Sequence, residues 1–339
     1  SSLAITAVNV PAQTDTRVSL PVTRQAVGSF EIASSGITNN TVILNSASFA
    51  TNQFSSNSQG NPLFYARFTS GDLDGRWFNI VSHADSSLTL NAEDTANPAD
   101  LSDAAEEDTL TIYPHWTIET IFGDGLEGYS FVASPSPFTP TFSVLVPDND
   151  GVGTNRSSST TIFFFNGQWI QPGGIPAGDT VVAPQRTLIL RNDQPADTGE
   201  TDDPGTLVDE SINDLVFLTQ GGVPVELVEQ IRVESVANDT VITAGNLETV
   251  KVSDLNLEDV LDASSNPFVP TDVLLFFADA DSANGLNVSS ATAVFRFNGQ
   301  FVFNGGVPAS DFEVDPGEVF ILRKADGTPG TIDWDVPNP

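Results

Sequence analysis

FFFNGQWIQPGGIPAGD begins at Phe163, and FRFNGQFVFNGGVPASD begins at Phe295. A chain that repeats so long a phrase contains a duplicated folding unit, and any fold assigned to it must accommodate two copies. The match extends in both directions. Upstream, residues 126–141 (LEGYSFVASPSPFTPT) correspond to residues 257–271 (LEDVLDASSNPFVPT), and the strands FSVLV and VLLFF follow. Downstream, each copy closes on an aliphatic strand ending in arginine, TLILR at Arg191 and VFILR at Arg323. Asn166-Gly167 and Asn298-Gly299 are the strongest short hairpin signal, because a two-residue primed turn needs positive φ at both positions. The Gly-Gly pairs at 173–174 and 305–306, each followed by a β-branched residue and proline, mark a second bend. Two copies are too few for a solenoid, so a duplicated sandwich-like β unit is expected.

The rest of the chain uses the same vocabulary. Residues 29–34, 41–44, 63–68, 77–81, 87–90 and 109–113 are β-prone runs separated by Asn-, Gly- and Ser-rich breaks. The expected fold class is all-β, with several β-sandwich or barrel-like domains and the duplicated β unit in the C-terminal two-thirds. The expected domains are 1–115, an N-terminal β domain; 116–210, the first copy with an acidic loop; and 211–339, linking strands and the second copy.

Charge limits the partners. The chain carries 45 acidic and 12 basic residues, a net charge of −33. Such a surface repels nucleic acid and anionic membranes, so neither is an expected partner. Cysteine is absent, which excludes disulfides, thiol nucleophiles and thiolate metal sites. Methionine is absent too, and a chain without either sulfur residue resists oxidation. Together these features predict a mature extracellular or cell-surface chain exported through a cleaved signal peptide. No stretch approaches the roughly 20 apolar residues of a membrane helix, so membrane insertion is not expected.

In order, the chain shows SLPVTR at 19–24, FYARFTSG at 64–71, His-Trp-Thr at 115–117, two G-x-N-x-S-S loops, and FILRKAD at 320–326 followed by TIDW at 331–334. In this series it resembles a family of secreted β-rich proteins found as several paralogues in Verrucomicrobia and related bacteria. The resemblance spans nearly the whole chain. It implies export and a β-rich fold, and it brings no established activity and no catalytic residues.

Candidate chemistry is sparse. Asp148, Asp150 and Asn155 in DNDGVGTN, and Asp279, Asp281 and Asn284 in the second copy, place hard oxygen ligands close together, as calcium requires. The competing reading is an Asx-rich turn capped by its own side chains, since neither loop has full EF-hand spacing. Calcium is the only cofactor these residues suggest. GDGLEG at 123–128 fits G-x-G-x-x-G formally, yet Asp124 and Glu127 would repel a pyrophosphate and no helical pattern follows. His83 and His115 are the only histidines and sit in no catalytic motif, so no enzyme is expected.

Two surfaces remain. Trp169 and Trp77 are candidates for stacking on a polysaccharide, against the alternative that Trp169 packs as Phe301 does at the matching position. Phe164 becomes Arg296 in the second copy, so its face is not deep core. It is expected to be covered by a neighbouring domain of the same chain or by another subunit. The N-terminal segment, with Leu3, Ile5 and Val8, suits addition of a strand to a neighbouring subunit. The sequence therefore predicts a secreted structural protein that polymerises with itself into a filament, sheath or surface layer. The alternative is a glycan-binding module, with a carbohydrate-active hydrolase behind both.

Overall fold

The computed structural model describes residues 7–8, 14–20, 22–92, 97–123, 134–147, 159–184, 186–193, 215–216, 225–227, 230–235, 239–243, 249–258, 260–277, 290–315, 318–325 and 330–335. The chain is all-β. It opens with β1 (Ala7–Val8), β2 (Thr14–Val18) and β3 (Val22–Arg24). Six strands follow: β4 (Gly28–Thr38), β5 (Thr41–Leu44), β6 (Phe64–Phe68), β7 (Trp77–Ala84), β8 (Ser87–Asn91) and β9 (Thr109–Pro114). Next come β10 (Trp116–Thr117), one short helix α1 (Ile118–Phe122), β11 (Phe142–Pro147), β12 (Ser159–Phe165) and β13 (Gln168–Gln171). The first copy ends with β14 (Ile175–Pro176), β15 (Val181–Val182) and β16 (Leu188–Asn192), and β17 (Leu215–Val216) follows it. Then come β18 (Val225–Leu227), β19 (Gln230–Ser235), β20 (Asp239–Thr243), β21 (Val250–Lys251) and β22 (Val273–Phe277). The last six are β23 (Ser290–Phe297), β24 (Gln300–Phe303), β25 (Val307–Pro308), β26 (Glu313–Val314), β27 (Val319–Arg323) and β28 (Gly330–Asp335).

Strands β4 to β9 close into a barrel in the order β4-β5-β8-β7-β6-β9. Alternation drives this closure. Val42 and Leu44, Ala66 and Phe68, Leu88 and Leu90, and Leu110 and Ile112 all point inward and are buried. Phe68 meets Phe78 edge-on inside, with ring centroids 5.9 Å apart. Bulges in β4 between Ile32 and Ile37, and in β7 between Ile80 and Ser82, help the sheet to curve.

The two copies form matching six-stranded sheets. One runs β14-β13-β12-β11-β16-β2 and the other β25-β24-β23-β22-β27-β20. Each has a small pair on one side, β10-β15 and β21-β26. The Asn-Gly hairpins form as the sequence demands, with φ of +48° and +79° at 166–167 and +50° and +77° at 298–299.

One element breaks the expected order. The edge strand of the first sheet, β2, comes from ahead of the barrel, and it sits where β20 sits in the second sheet. The registers agree: Arg191 lies opposite Asp15, and Arg323 lies opposite Asp239. In the first copy, Arg191 Nε and Nη2 each donate to an Asp15 carboxylate oxygen at 2.8 Å, a bidentate fork. The first unit is thus split by the barrel, whereas the second runs from β20 to β27 without such an insertion. Residues 14–18 therefore join the sheet of the first copy, across the boundary expected near 115. Strand pairing is a long-range choice that local pattern does not record.

Directly opposed residues share a face of a sheet. In the first sheet Val18, Val144, Ile162, Trp169, Leu188 and Leu190 face Trp116 and the α1 residues Ile118 and Phe122, and all are buried. In the second, Leu274, Phe276, Val294, Phe301, Phe320 and Leu322 pack on Val252, Leu255 and Leu257. The opposite face of the second sheet is apolar as well, around Val273, Phe295 and Val302. On that side Arg17 of β2 lies 4.0 Å above the ring of Phe277.

Candidate functional site

The repeated words build the same corner twice, at the sheet edges formed by β14 and β25. After β13 the chain turns through Gly173 and Gly174 at φ +91° and +82°; after β24 it turns through Gly305 and Gly306 at +88° and +76°. Only glycine takes such angles without strain. The tip then grips a second loop. Gly173 N–H donates to Pro137 O and Gly305 N–H donates to Pro267 O, both at 2.8 Å. The root of that loop is tied to β12 or β23. Ser134 N–H donates to Phe164 O at 2.9 Å, and Ser264 N–H donates to Arg296 O at 2.7 Å.

Within this frame one phenylalanine per copy is turned outward. Phe138 N–H donates to Ser136 Oγ at 3.2 Å, and Phe268 N–H donates to Asn266 Oδ1 at 2.8 Å. These local turns and the flanking prolines hold the backbone away from the core. Phe138, Ile175, Phe268, Val269 and Val307 are between 55% and 68% exposed. Among the described residues they are five of the seven large apolar side chains left in solvent; Val27 and Ile43 are the others. Residues 134–141, 171–178, 263–271 and 303–310 contain no charged residue, in a chain of net charge −33. Each corner is therefore a rigid, uncharged, apolar projection on an acidic molecule. Such patches mark interaction sites.

The expected aromatic platform is not assembled. Trp169 is 4% exposed, packed into the first core, with its Nε1–H donated to Gly123 O at 2.7 Å. Its depth matches that of Phe301, which is also 4% exposed, so Trp169 offers no face to a sugar. Replacing Trp169 with Phe is expected to lower stability by about 1 kcal/mol through the lost hydrogen bond, without changing retention on polysaccharide; chemical denaturation and affinity electrophoresis check both. Trp77 is half-buried, edge-on to Tyr65 at 5.6 Å and to His115 at 5.7 Å.

Phe164 turns to its own core. It is half-buried against the first cluster, 5.3 Å from Trp169 and edge-on. At the matching position, Arg296 Nη1 donates to the carbonyls of Glu258 and Leu261. One site is thus filled by a ring in one copy and by a carbonyl-capping guanidinium in the other, and each packs on its own unit. Val8 lies in β1, which pairs with β17 of the same chain. Leu3 and Ile5 lie outside the described residues, as do Asp148, Asp150, Asn155, Asp279, Asp281 and Asn284. Among the described residues no cluster of three or more acidic or histidine side chains is placed to hold a metal.

The two histidines sit in different surroundings. His83 Nε2 accepts from Phe54 N–H at 3.4 Å. His115 is wholly buried where the barrel meets the first sheet; its Nε2–H donates to Asn79 Oδ1 at 2.7 Å, and Nδ1 has no partner. Burial first, then the charge of Arg186, lowers its pKa to about 3. The fold holds this imidazole neutral while the unfolded chain protonates it near pH 6.5. Stability should thus fall as pH drops from about 6.5 toward 3, by about 1.4 kcal/mol per pH unit from this group. Urea unfolding of the wild type and of His115→Gln across that range should differ by this slope.

An open hollow of about 540 Å³ on the barrel is walled by Ile37, Asn40, Asp100 and Leu101, among others. Of the two amides that line it, that of Asn40 is already used: its Nδ2 donates to Leu90 O at 2.9 Å and to Asn91 Oδ1 at 3.2 Å. Comparison of the chain with protein-family models, curated proteins and solved structures finds no match.

Proposed function

We propose that this chain is an extracellular structural protein that assembles with itself into a filament, sheath or surface layer. The observation that carries this reading is the same exposed, uncharged apolar corner presented twice on one acidic chain. A molecule with one sticky patch stops at a dimer. A molecule with two equivalent patches goes on to polymers. The absence of cysteine and methionine fits a long service life outside the cell.

Charge sets the conditions for assembly. Molecules of net charge −33 repel one another, and the repulsion is screened over about 10 Å at 0.1 M salt. Polymer mass is therefore expected to rise with sodium chloride, as measured by light scattering, and negative-stain electron microscopy should show regular fibres or lattices. Repeating the imaging with a chelator tests whether the Asp-rich loops bridge subunits through calcium. Dispersed molecules at every salt and protein concentration would defeat the structural reading. Retention on a glycan panel would then favour the polysaccharide-binding alternative.

A further inference from the structure

We infer that each corner docks on another corner, and that the corner of the second copy docks first. This rests on the self-assembly reading and specifies its contact. An apolar projection gains most from apolar surface on its partner. Among the described residues this chain leaves five of its seven exposed large apolar side chains in the two corners. The surface that best matches a corner is another corner. Charge permits this contact, because residues 134–141, 171–178, 263–271 and 303–310 carry no charge on a molecule of net charge −33, so these segments bring no like charges together.

The backbone fixes the mode of contact. β14 and β25 are sheet edges, but each is two residues long and ends in Pro176 or Pro308. Proline removes a donor from the edge, which opposes sheet extension and leaves side-chain packing as the means of contact. The hydrogen bonds from Gly173 and Gly305 set each loop before binding, so little ordering is needed on association.

The copies differ at several exposed positions, and one of them adds a large apolar side chain to the second corner. Val269 of the second corner is matched by Thr139 in the first. The second corner presents Phe268, Val269 and Val307; the first presents Phe138 and Ile175. Phe268 also leans on its hairpin, with its Cε1 only 3.7 Å from where a Gly305 Cβ would lie, whereas nothing lies within 4 Å of the matching point at Gly173. The larger second corner pairs at lower concentration and gives two-fold dimers. Pairing of first corners then links dimers into a polymer of alternating contacts.

Sedimentation velocity over a concentration series tests this with the wild type, Phe138→Asp, Phe268→Asp and the double variant. Both sites are exposed, and circular dichroism and melting confirm that each variant folds. Phe138→Asp should stop at dimers. Phe268→Asp should lose the low-concentration dimer, with its dissociation constant raised roughly 30-fold or more. The double variant should stay monomeric. A double variant that polymerises like the wild type overturns corner docking and leaves self-assembly standing. A wild type that is monomeric throughout overturns self-assembly itself. Loss of the first dimer in Phe138→Asp rather than Phe268→Asp overturns the order of docking.

Discussion

Replacing Asp272 with alanine is expected to destabilise the second copy by about 3–5 kcal/mol, the cost of leaving a buried ionic partner unmatched. Asp272 is 1% exposed. Its Oδ2 accepts from Lys324 Nζ at 2.5 Å and from Asp262 N–H at 2.8 Å, and its Oδ1 accepts from Ala325 N–H at 3.0 Å. Lys324 also donates to Val260 O at 2.9 Å. One carboxylate thus ties the segment ahead of the Phe268 corner to the end of β27. Removing it strands an ammonium and two backbone donors together. Asp272→Asn keeps the shape and one acceptor, so it should cost less than alanine. Asp272→Ala with Lys324→Met should cost less than the sum of the singles, since the pair acts as a unit. Urea unfolding of the wild type, the three single variants and the double variant measures this. A loss below about 1 kcal/mol for Asp272→Ala would mean that the tie is idle.

The first copy solves the same position differently. Phe142 stands opposite Asn192, where the second copy has Asp272 and Lys324. Sequence alignment of the copies shows the exchange but not its meaning, because an Asp replacing a Phe at a strand start looks like drift. Only the fold shows that the site is buried in both units, and that the second must supply a countercharge. Lys324 is one of only two lysines in the chain.

Other features were legible at once. The Asn-Gly turns formed because positive φ is a local demand that two residues satisfy alone. Phe163 and Phe295, which hold the same place in the two repeated phrases, are both buried. The corners were visible as repeated words but not as surface. Phenylalanine is buried in most settings, and nothing in PFTP or PFVP tells that the ring faces water. Trp169 shows the opposite case. A residue just past a tight turn reads as accessible, yet α1 folds over it and Gly123 takes its indole N–H.

The feature least legible in sequence gives the last large effect. Deleting residues 1–18 is expected to abolish folding of the first sheet, while deleting residues 1–13 should leave it standing. The shorter deletion removes β1, whose ladder with β17 is two residues long. The longer one removes β2, which pairs with β16 over five residues. It uncovers Leu188 and Leu190, both fully buried, and strips the fork from Arg191. β16 would then become an unprotected edge, open to aggregation. Limited proteolysis should cut the longer deletion between β10 and β16 while sparing the second copy, whose matching strand β20 lies next to the unit it completes. A synthetic peptide of residues 11–22 should restore protection by adding the missing strand, and the same peptide carrying Asp15→Ala should fail. Equal protease resistance in both deletions would show that β16 does not need β2, and the split architecture of the first copy would lose its energetic basis.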